Sequence, residues 1–275
     1  FNCMTPFGVV SMFLPCEIGP PPGYPAHNHP LVPNNFLRHF TVLLQTECIL
    51  EVQQYINHFT QRKGAAMGIH TYFQSLNDLE RIIRCPGKFK FEEHSVSAHS
   101  WKVVQYAKTL ADIEETNGVT VDWKKLYEIT SSHDYGEIFI GDIKTPVKHH
   151  SLELRAMLQQ VEEGMVAHFI DEHIPSEFQP IFRRQLREGK DDSVEGRILE
   201  VADKLDQIYE AFTELQRGNT EKEFVVMYRD ALIKIKGIKL HCVDYFLQHI
   251  LPDLVSEGSR SPIDIEKITK EALAT

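Results

Sequence analysis

From Met67 to the end of the chain, apolar residues recur at helical spacing in run after run, and this pattern limits the fold more than any other feature. SAHSWKVVQYAKTLADIEETNG brings Trp101, Val104, Tyr106, Ala107, Leu110, Ala111 and Ile113 near helical spacing and stops at Asn117-Gly118. WKKLYEITSSHDYGEIF reads as one further helix, and LELRAMLQQVEEGMVAHFIDEHI as another, halted by Pro175. SVEGRILEVADKLDQIYEAFTELQRGN ends at a Gly-Asn stop, and EFVVMYRDALIKIK and KLHCVDYFLQHILPDL add two more. In SPIDIEKITKEAL, Ser261 as N-cap and Pro262 at the first helical position predict a short, separate helix. There is no hairpin signal and no β-α-β alternation, so the expected fold class is an all-α bundle.

Residues 1–66 have another character. They hold six charged side chains and no Asp, with the proline-rich stretch GPPPGYPAHNHPLVP and one helix-like run, FLRHFTVLLQTECILEVQQYINHF. That is too little patterned sequence for a core of its own. The expected organisation is an irregular N-terminal extension over 1–66, a helical domain over 67–255, and a tail with a short helix over 256–275. The chain begins at Phe1, whereas Met67 opens MGIHTYFQSLNDLERIIR, which reads at once as domain. Arg62 to Ala66 admit the codons AGG AAA GGA GCN GCN, which contain AAGGAG, a bacterial ribosome-binding sequence. Two readings fit: residues 1–66 translate an upstream region, or they form a genuine, loosely held extension.

Composition narrows the function. The chain is 42% hydrophobic and 25% charged, as in an ordinary globular protein. A net charge of −10 argues against nucleic-acid binding, which needs a basic stripe along the phosphates. An anionic small substrate would need a local basic pocket. The five cysteines, Cys3, Cys16, Cys48, Cys85 and Cys242, are scattered and form no CxxC pair, which points to a reducing cytoplasm. No apolar run reaches the ~18 residues that span a bilayer, and the first residues lack the basic n-region and long apolar stretch of a signal peptide.

The stretch SSHDYGEIFIGD places His133, Asp134, Glu137 and Asp142 beside the apolar Ile138, Phe139 and Ile140. Ionisable groups against a core are costly unless they are paired or bind a metal. Taken singly, each candidate has an ordinary reading. His99 can be a hydrogen-bonded structural residue, and Asp134 can cap or pair near a helix end. Asp203 lies in ILEVADKLD, where Leu199, Val201, Ala202 and Leu205 face the interior, and can bridge to Lys204 or Arg197. Glu137 and Asp142 can pair with Lys144 or Lys148.

The order of these residues resembles a family. A His, then His-Asp 34 residues later, then Asp 69 residues further on matches the H…HD…D pattern of HD-domain metal-dependent phosphohydrolases. RIIRCPGKFKFEEHSVSAHSWKV, HDYGEIFIGDIKTPVK and VADKLDQIYEAFTELQRGN are similar to the bacterial HD-domain 5′-deoxynucleotidase branch, over roughly residues 67–255. This resemblance implies an HD-domain helical bundle with His99, His133, Asp134 and Asp203 as ligands of one divalent transition metal. The N/O set suits cobalt, manganese, iron or zinc. It implies removal of phosphate from (deoxy)ribonucleoside 5′-monophosphates by metal-activated water, with Glu137 orienting or deprotonating that water and Asp142 handling protons. Arg84 matches the family's phosphate-binding arginine, and Lys88, Lys144 and Lys148 could add charge. Thr145, with Pro146, shapes a rigid turn beside the substrate. Relatives tend to be homodimers. The alternatives are another nucleotide (triphosphate, guanosine polyphosphate or cyclic) or a module that binds metal and nucleotide without turnover. Two positions depart from relatives: Cys85 stands where some carry a bulky aromatic, and Ala98 replaces an acidic residue before His99.

Overall fold

A computed structural model describes residues 68–143, 145–148, 150–186 and 189–275, so the expectations for residues 1–66 lie outside the described residues. The helices are α1 Ile69–Arg81, α2 Val96–Thr116, α3 Trp123–Ser132, α4 Glu137–Ile140, α5 Thr145–Lys148 and α6 Leu152–His173. They continue with α7 Gln179–Gln185, α8 Val194–Gln216, α9 Lys222–Lys236 and α10 His241–Tyr245. A single π turn, Phe246–Ile250, then leads into α11 Leu251–Gly258, and α12 Ile265–Ala274 closes the chain. Among the described residues the only β pairing is an isolated bridge between Ile83 and Ser95. The all-α class is borne out.

α8 is the axis of the bundle. It begins where the Ser193 hydroxyl accepts from Gly196 N–H and ends where Gly218 takes a positive φ of 85°. Its apolar face, including Ile198, Val201, Ala202, Leu205, Ile208 and Leu215, is buried against α2, α3 and α9. Burying side chains of this size contributes about 1.5–3 kcal/mol each, which is what fixes the helix in the core. A second apolar cluster joins Leu79 of α1, Tyr135, and Val166, Phe169 and Ile170 of α6. The segment 129–135 runs from the first cluster, at Ile129, to the second, at Tyr135.

Three local expectations are corrected. WKKLYEITSSHDYGEIF is not one helix, because α3 ends at Ser132 and α4 begins at Glu137. The Thr130, Ser131 and Ser132 hydroxyls donate back to the carbonyls of Leu126, Tyr127 and Glu128 at 2.7, 2.6 and 2.6 Å, which loosens the helical ladder. Tight i→i+3 bonds take over, Tyr135 N–H to Ser132 and Glu137 N–H to Asp134. The tail helix is capped by Asp264, whose side chain accepts from Lys267 N–H at 2.9 Å, and not by Ser261. Ser261 instead donates to the Leu215 carbonyl at 2.8 Å, drawing the tail onto α8. The tail is therefore not separate: Ile265 and Ala272 are part of the main core. On α2, Trp101 is 66% exposed, and the buried line runs through Val96, His99, Val103, Ala107 and Leu110. Helical spacing defines a stripe only to within a residue or so, and the contact with α8 chooses which one is covered.

Candidate metal and phosphate site

His99 reaches the centre of the bundle from the first turn of α2, His133 and Asp134 from the break after α3, and Asp203 from the middle of α8. Their donor atoms converge. His99 Nε2 lies 3.2 Å from His133 Nε2, 3.2 Å from Asp134 Oδ2 and 3.4 Å from Asp203 Oδ1. His133 Nε2 is 3.3 Å from Asp134 Oδ2. The structure thus brings together all four of the residues that the sequence pattern singles out.

The hydrogen bonds behind the imidazoles settle what the front atoms are. His133 Nδ1 faces the Thr130 carbonyl at 3.0 Å, and a carbonyl only accepts, so the proton is on Nδ1. His99 Nδ1 donates likewise to Asp206 Oδ2 at 2.7 Å. His99 Nε2 therefore presents a lone pair to His133 Nε2 and to the Asp134 and Asp203 carboxylates, and His133 Nε2 presents one to His99 and Asp134. Acceptors that face one another in this way repel unless a cation lies among them. Donors each about 2.0–2.2 Å from one ion stand roughly 3.0–3.5 Å apart, as His99 Nε2, His133 Nε2 and Asp134 Oδ2 do; these three form the compact set that fits a divalent metal, and Asp203 approaches it through His99 Nε2. Burial and then Arg84 oppose a charge on His99, yet hydrogen bonds that a protonated ring would donate to Asp134, Asp203 and Asp206 raise its pKa to about 10, the same demand for positive charge. Burial raises the Asp134 carboxyl, but His133 and His99 outweigh it and hold it well below the usual range.

Arg84 is buried beside this cluster. Its Nε donates to Glu210 Oε2 at 3.1 Å and its Nη1 lies 3.9 Å from Asp134 Oδ2. Burial disfavours its charge, but Glu210 and then Asp134 more than compensate and hold its pKa above the ordinary value. Asp142 follows Gly141, whose φ of 71° is a conformation that glycine adopts without strain. Its Oδ2 accepts from the Cys85 N–H at 2.8 Å. Cys85 itself has a φ of 51°, unusual for a residue with a side chain, and burial followed by Glu210 pushes its thiol up to about 12.

Glu137 opens α4 and is buried. Its Oε2 has no hydrogen-bond partner among the described residues, and its Oε1 is 3.8 Å from Lys148 Nζ. Burial, then Asp134 and Asp142, push its carboxyl up to about 8. Lys148 is thus at the site. Lys88 is not gathered there: its ammonium pairs with Glu223 and, at 3.8 Å, Glu221, beside the start of α9. Thr145 and Pro146 lie in the one-turn helix α5 and not in an extended turn, since Pro is tolerated in the first turn of a helix.

Sequence reasoning missed the acids of α8 that support the site. Asp206 holds His99, Glu210 holds Arg84, and Glu214 accepts the N–H groups of Phe91 and Glu92 at 2.9 and 3.0 Å. Lys190 was also missed; its Nζ is 2.7 Å from Asp203 Oδ2. The signal for the acids is their spacing: 203, 206, 210 and 214 fall on one helical face within an otherwise apolar run.

Two imidazoles and two carboxylates meeting inside a helical bundle are what an HD-domain phosphohydrolase uses, and the comparisons agree. An HD-domain phosphohydrolase of Listeria innocua with a solved structure is 51% identical, with a TM-score of 0.72, and the match covers 76% of this chain and 99% of that one. The chain belongs to the 5′-deoxynucleotidase YfbR-like family, whose pattern matches residues 71–254. A 5′-deoxynucleotidase of Photorhabdus laumondii is 27% identical over 195 residues, spanning 70% of this chain and 98% of that protein. The 5′-deoxynucleotidase YfbR of Escherichia coli is 26% identical over 182 residues, 66% of this chain and 90% of its own. With the family comes the class, a metal-dependent hydrolase of phosphate monoesters.

Proposed function

We propose that this chain releases phosphate from (deoxy)ribonucleoside 5′-monophosphates, with one divalent ion (cobalt, manganese, iron or zinc) held by His99, His133, Asp134 and Asp203. The observation that carries the reading is the pair of facing Nε2 lone pairs, 3.2 Å apart, with carboxylate oxygens closing the same point. When bound, such an ion acts as a Lewis acid that acidifies water and polarises a phosphoryl oxygen. The protein's own groups do the rest.

Arg84 has its Nε taken by Glu210, and its terminal N–H groups suit two phosphate oxygens. Glu137, whose Oε2 has no hydrogen bond among the described residues and whose affinity for protons is raised by burial, accepts a proton from the attacking water. Lys148, 3.8 Å away, balances its charge once ionised. Asp142 is tied through Oδ2 to the Cys85 N–H, which leaves Oδ1 to handle the proton at the leaving 5′-oxygen. Among the described residues no helix is long and apolar enough to cross a membrane, which accords with a cytoplasmic enzyme. Lys190 and Lys204 lie against Asp203, at 2.7 and 3.6 Å, which favours a monophosphate over a longer polyphosphate needing further cations.

The test is phosphate release from a panel of nucleoside 5′-monophosphates, 3′-monophosphates and triphosphates. The protein is stripped of metal and reloaded separately with manganese, cobalt, zinc and magnesium. Metal-dependent release confined to 5′-monophosphates is expected. Turnover of triphosphates or 3′-monophosphates alone would overturn the substrate, and tight metal binding without turnover would overturn the catalytic reading.

A further inference from the structure

The side chain of Glu210 is fully buried, and only half of its carboxylate is satisfied. Oε2 accepts from Arg84 Nε at 3.1 Å, while Oε1 has no hydrogen-bond partner among the described residues. A buried carboxylate left half-paired is costly, and no bond to the ligand cluster accounts for it. What it does hold is one edge of a guanidinium whose other end, Nη1, is 3.9 Å from Asp134 Oδ2.

The backbone around Arg84 is already fastened. Its N–H donates to the His94 carbonyl at 2.9 Å, and the Arg84 carbonyl accepts from Lys90 Nζ. Further along the loop, Glu214 accepts two backbone N–H groups, and Asn219 Nδ2 donates to the Phe89 carbonyl at 3.0 Å. The remaining freedom is the rotation of a long side chain. An Arg fork can meet phosphate through its Nε–Nη edge or its Nη–Nη edge. With Nε occupied, only the second is available.

We infer that Glu210 is a positioning residue for Arg84: it occupies the Nε edge, so that the two terminal N–H groups are presented to the phosphate of a dianionic monoester. This rests on the reading of Arg84 as the phosphate-binding group. The reach of Glu210 matters here more than its charge. Removing the charge alone would leave Arg84 more attractive to an anion, not less.

That contrast gives the test, read as the Kd of inorganic phosphate for the metal-loaded protein by calorimetry. Glu210→Asp keeps the charge but withdraws the acceptor by one methylene, and phosphate binding is expected to weaken about tenfold, as for a misplaced charge-assisted bond. Glu210→Gln keeps the reach and an accepting oxygen, and binding is expected to stay within about threefold. In an Arg84→Gln background the two variants are expected to become indistinguishable. A role confined to neutralising charge in the core predicts the reverse ranking, with Gln worse than Asp. That ranking overturns the inference, as does a difference that persists without Arg84. Because the readout is phosphate binding and not turnover, a wrong nucleotide substrate would show in the release panel and leave this result intact.

Discussion

Two stretches supply the carboxylates of this site, and they treat them differently. Along α8, Asp203, Asp206, Glu210 and Glu214 each engage a defined partner: a lysine and an imidazole, an imidazole, a guanidinium, and two backbone N–H groups. On the turn from Asp134 to Asp142, Glu137 has one buried oxygen with no hydrogen bond among the described residues and no cation closer than Lys148 at 3.8 Å. The helix uses its acids to hold other groups in place; burial raises Asp203 and Asp206, but Lys190 outweighs it at Asp203 and the His99 hydrogen bond outweighs it at Asp206, so both carboxyls stay below the usual range. At Glu137 burial, then Asp134 and Asp142, outweigh Lys148 and raise its proton affinity toward the range useful for acid–base work.

The largest effect should come from the point where the two stretches meet. His133→Ala or Asp134→Ala removes a donor from the converged set, and both metal content (by elemental analysis) and turnover should fall to background. If either variant keeps one equivalent of metal and measurable turnover, the ligand set is wrong.

Glu137→Gln tests the turn alone. It should retain the metal and lose activity by roughly 10²–10⁴-fold, the span of a general acid–base contribution. The same variant has a stability signature in metal-free protein. The folded carboxyl titrates near 8 against an ordinary value of 4.5, so the folded state holds a proton that the unfolded chain gives up above that lower value. The stability supplied by the neutral form is therefore complete below pH about 4.5, is lost as pH rises, and is gone past about 8. Gln is always neutral, so its advantage in Tm over the wild type should appear above pH about 4.5 and level off past about 8. A difference that is flat with pH would contradict the raised carboxyl.

Asp206→Asn tests the helix. The shape is kept, but the negative charge behind His99 Nδ1 is removed, and metal affinity should fall by about 10–100-fold, as for other groups that orient a ligand imidazole. The rate of the fully loaded enzyme should change far less than in Glu137→Gln. Equal losses in rate would erase the distinction between the two stretches.

How much of this was legible in the sequence follows from which forces act locally. Helix existence was readable, since apolar spacing and stops such as Asn117-Gly118 and Pro175 act within a turn or two. The four candidate ligands were readable as an ordered pattern, spread over three segments: His99, then the His133-Asp134 pair, then Asp203. The break at His133 was not, because a 3.6-residue period runs through it. Three successive hydroxyls that bond back to the chain leave only the trace TSS. The partners of Asp206, Glu210 and Glu214 lie 107, 126 and 122–123 residues away along the chain, so only the spacing of these acids on one face announced them. Ser261 shows the converse, a residue with good cap chemistry recruited by the distant Leu215 carbonyl, while Asp264 does the capping.

Lys88 gives the smallest effect and the sharpest check on that lesson. It lies four residues after Arg84, and by the family resemblance Arg84 takes the phosphate and Lys88 could add charge beside it. The fold separates them: Glu210 draws Arg84 inward to the ligand cluster, whereas Glu221 and Glu223 draw Lys88 to the start of α9. An ion pair at such a partly exposed site contributes ~0–1 kcal/mol. Lys88→Ala should therefore leave KM and kcat within about twofold and shift stability by no more than that surface pair. Arg84→Ala should raise KM by more than tenfold, since it takes away a charged, two-pronged phosphate contact. A large KM change in Lys88→Ala would mean that the loop rearranges to bring Lys88 onto the substrate, and the division between paired and working groups would then have to be redrawn along the loop.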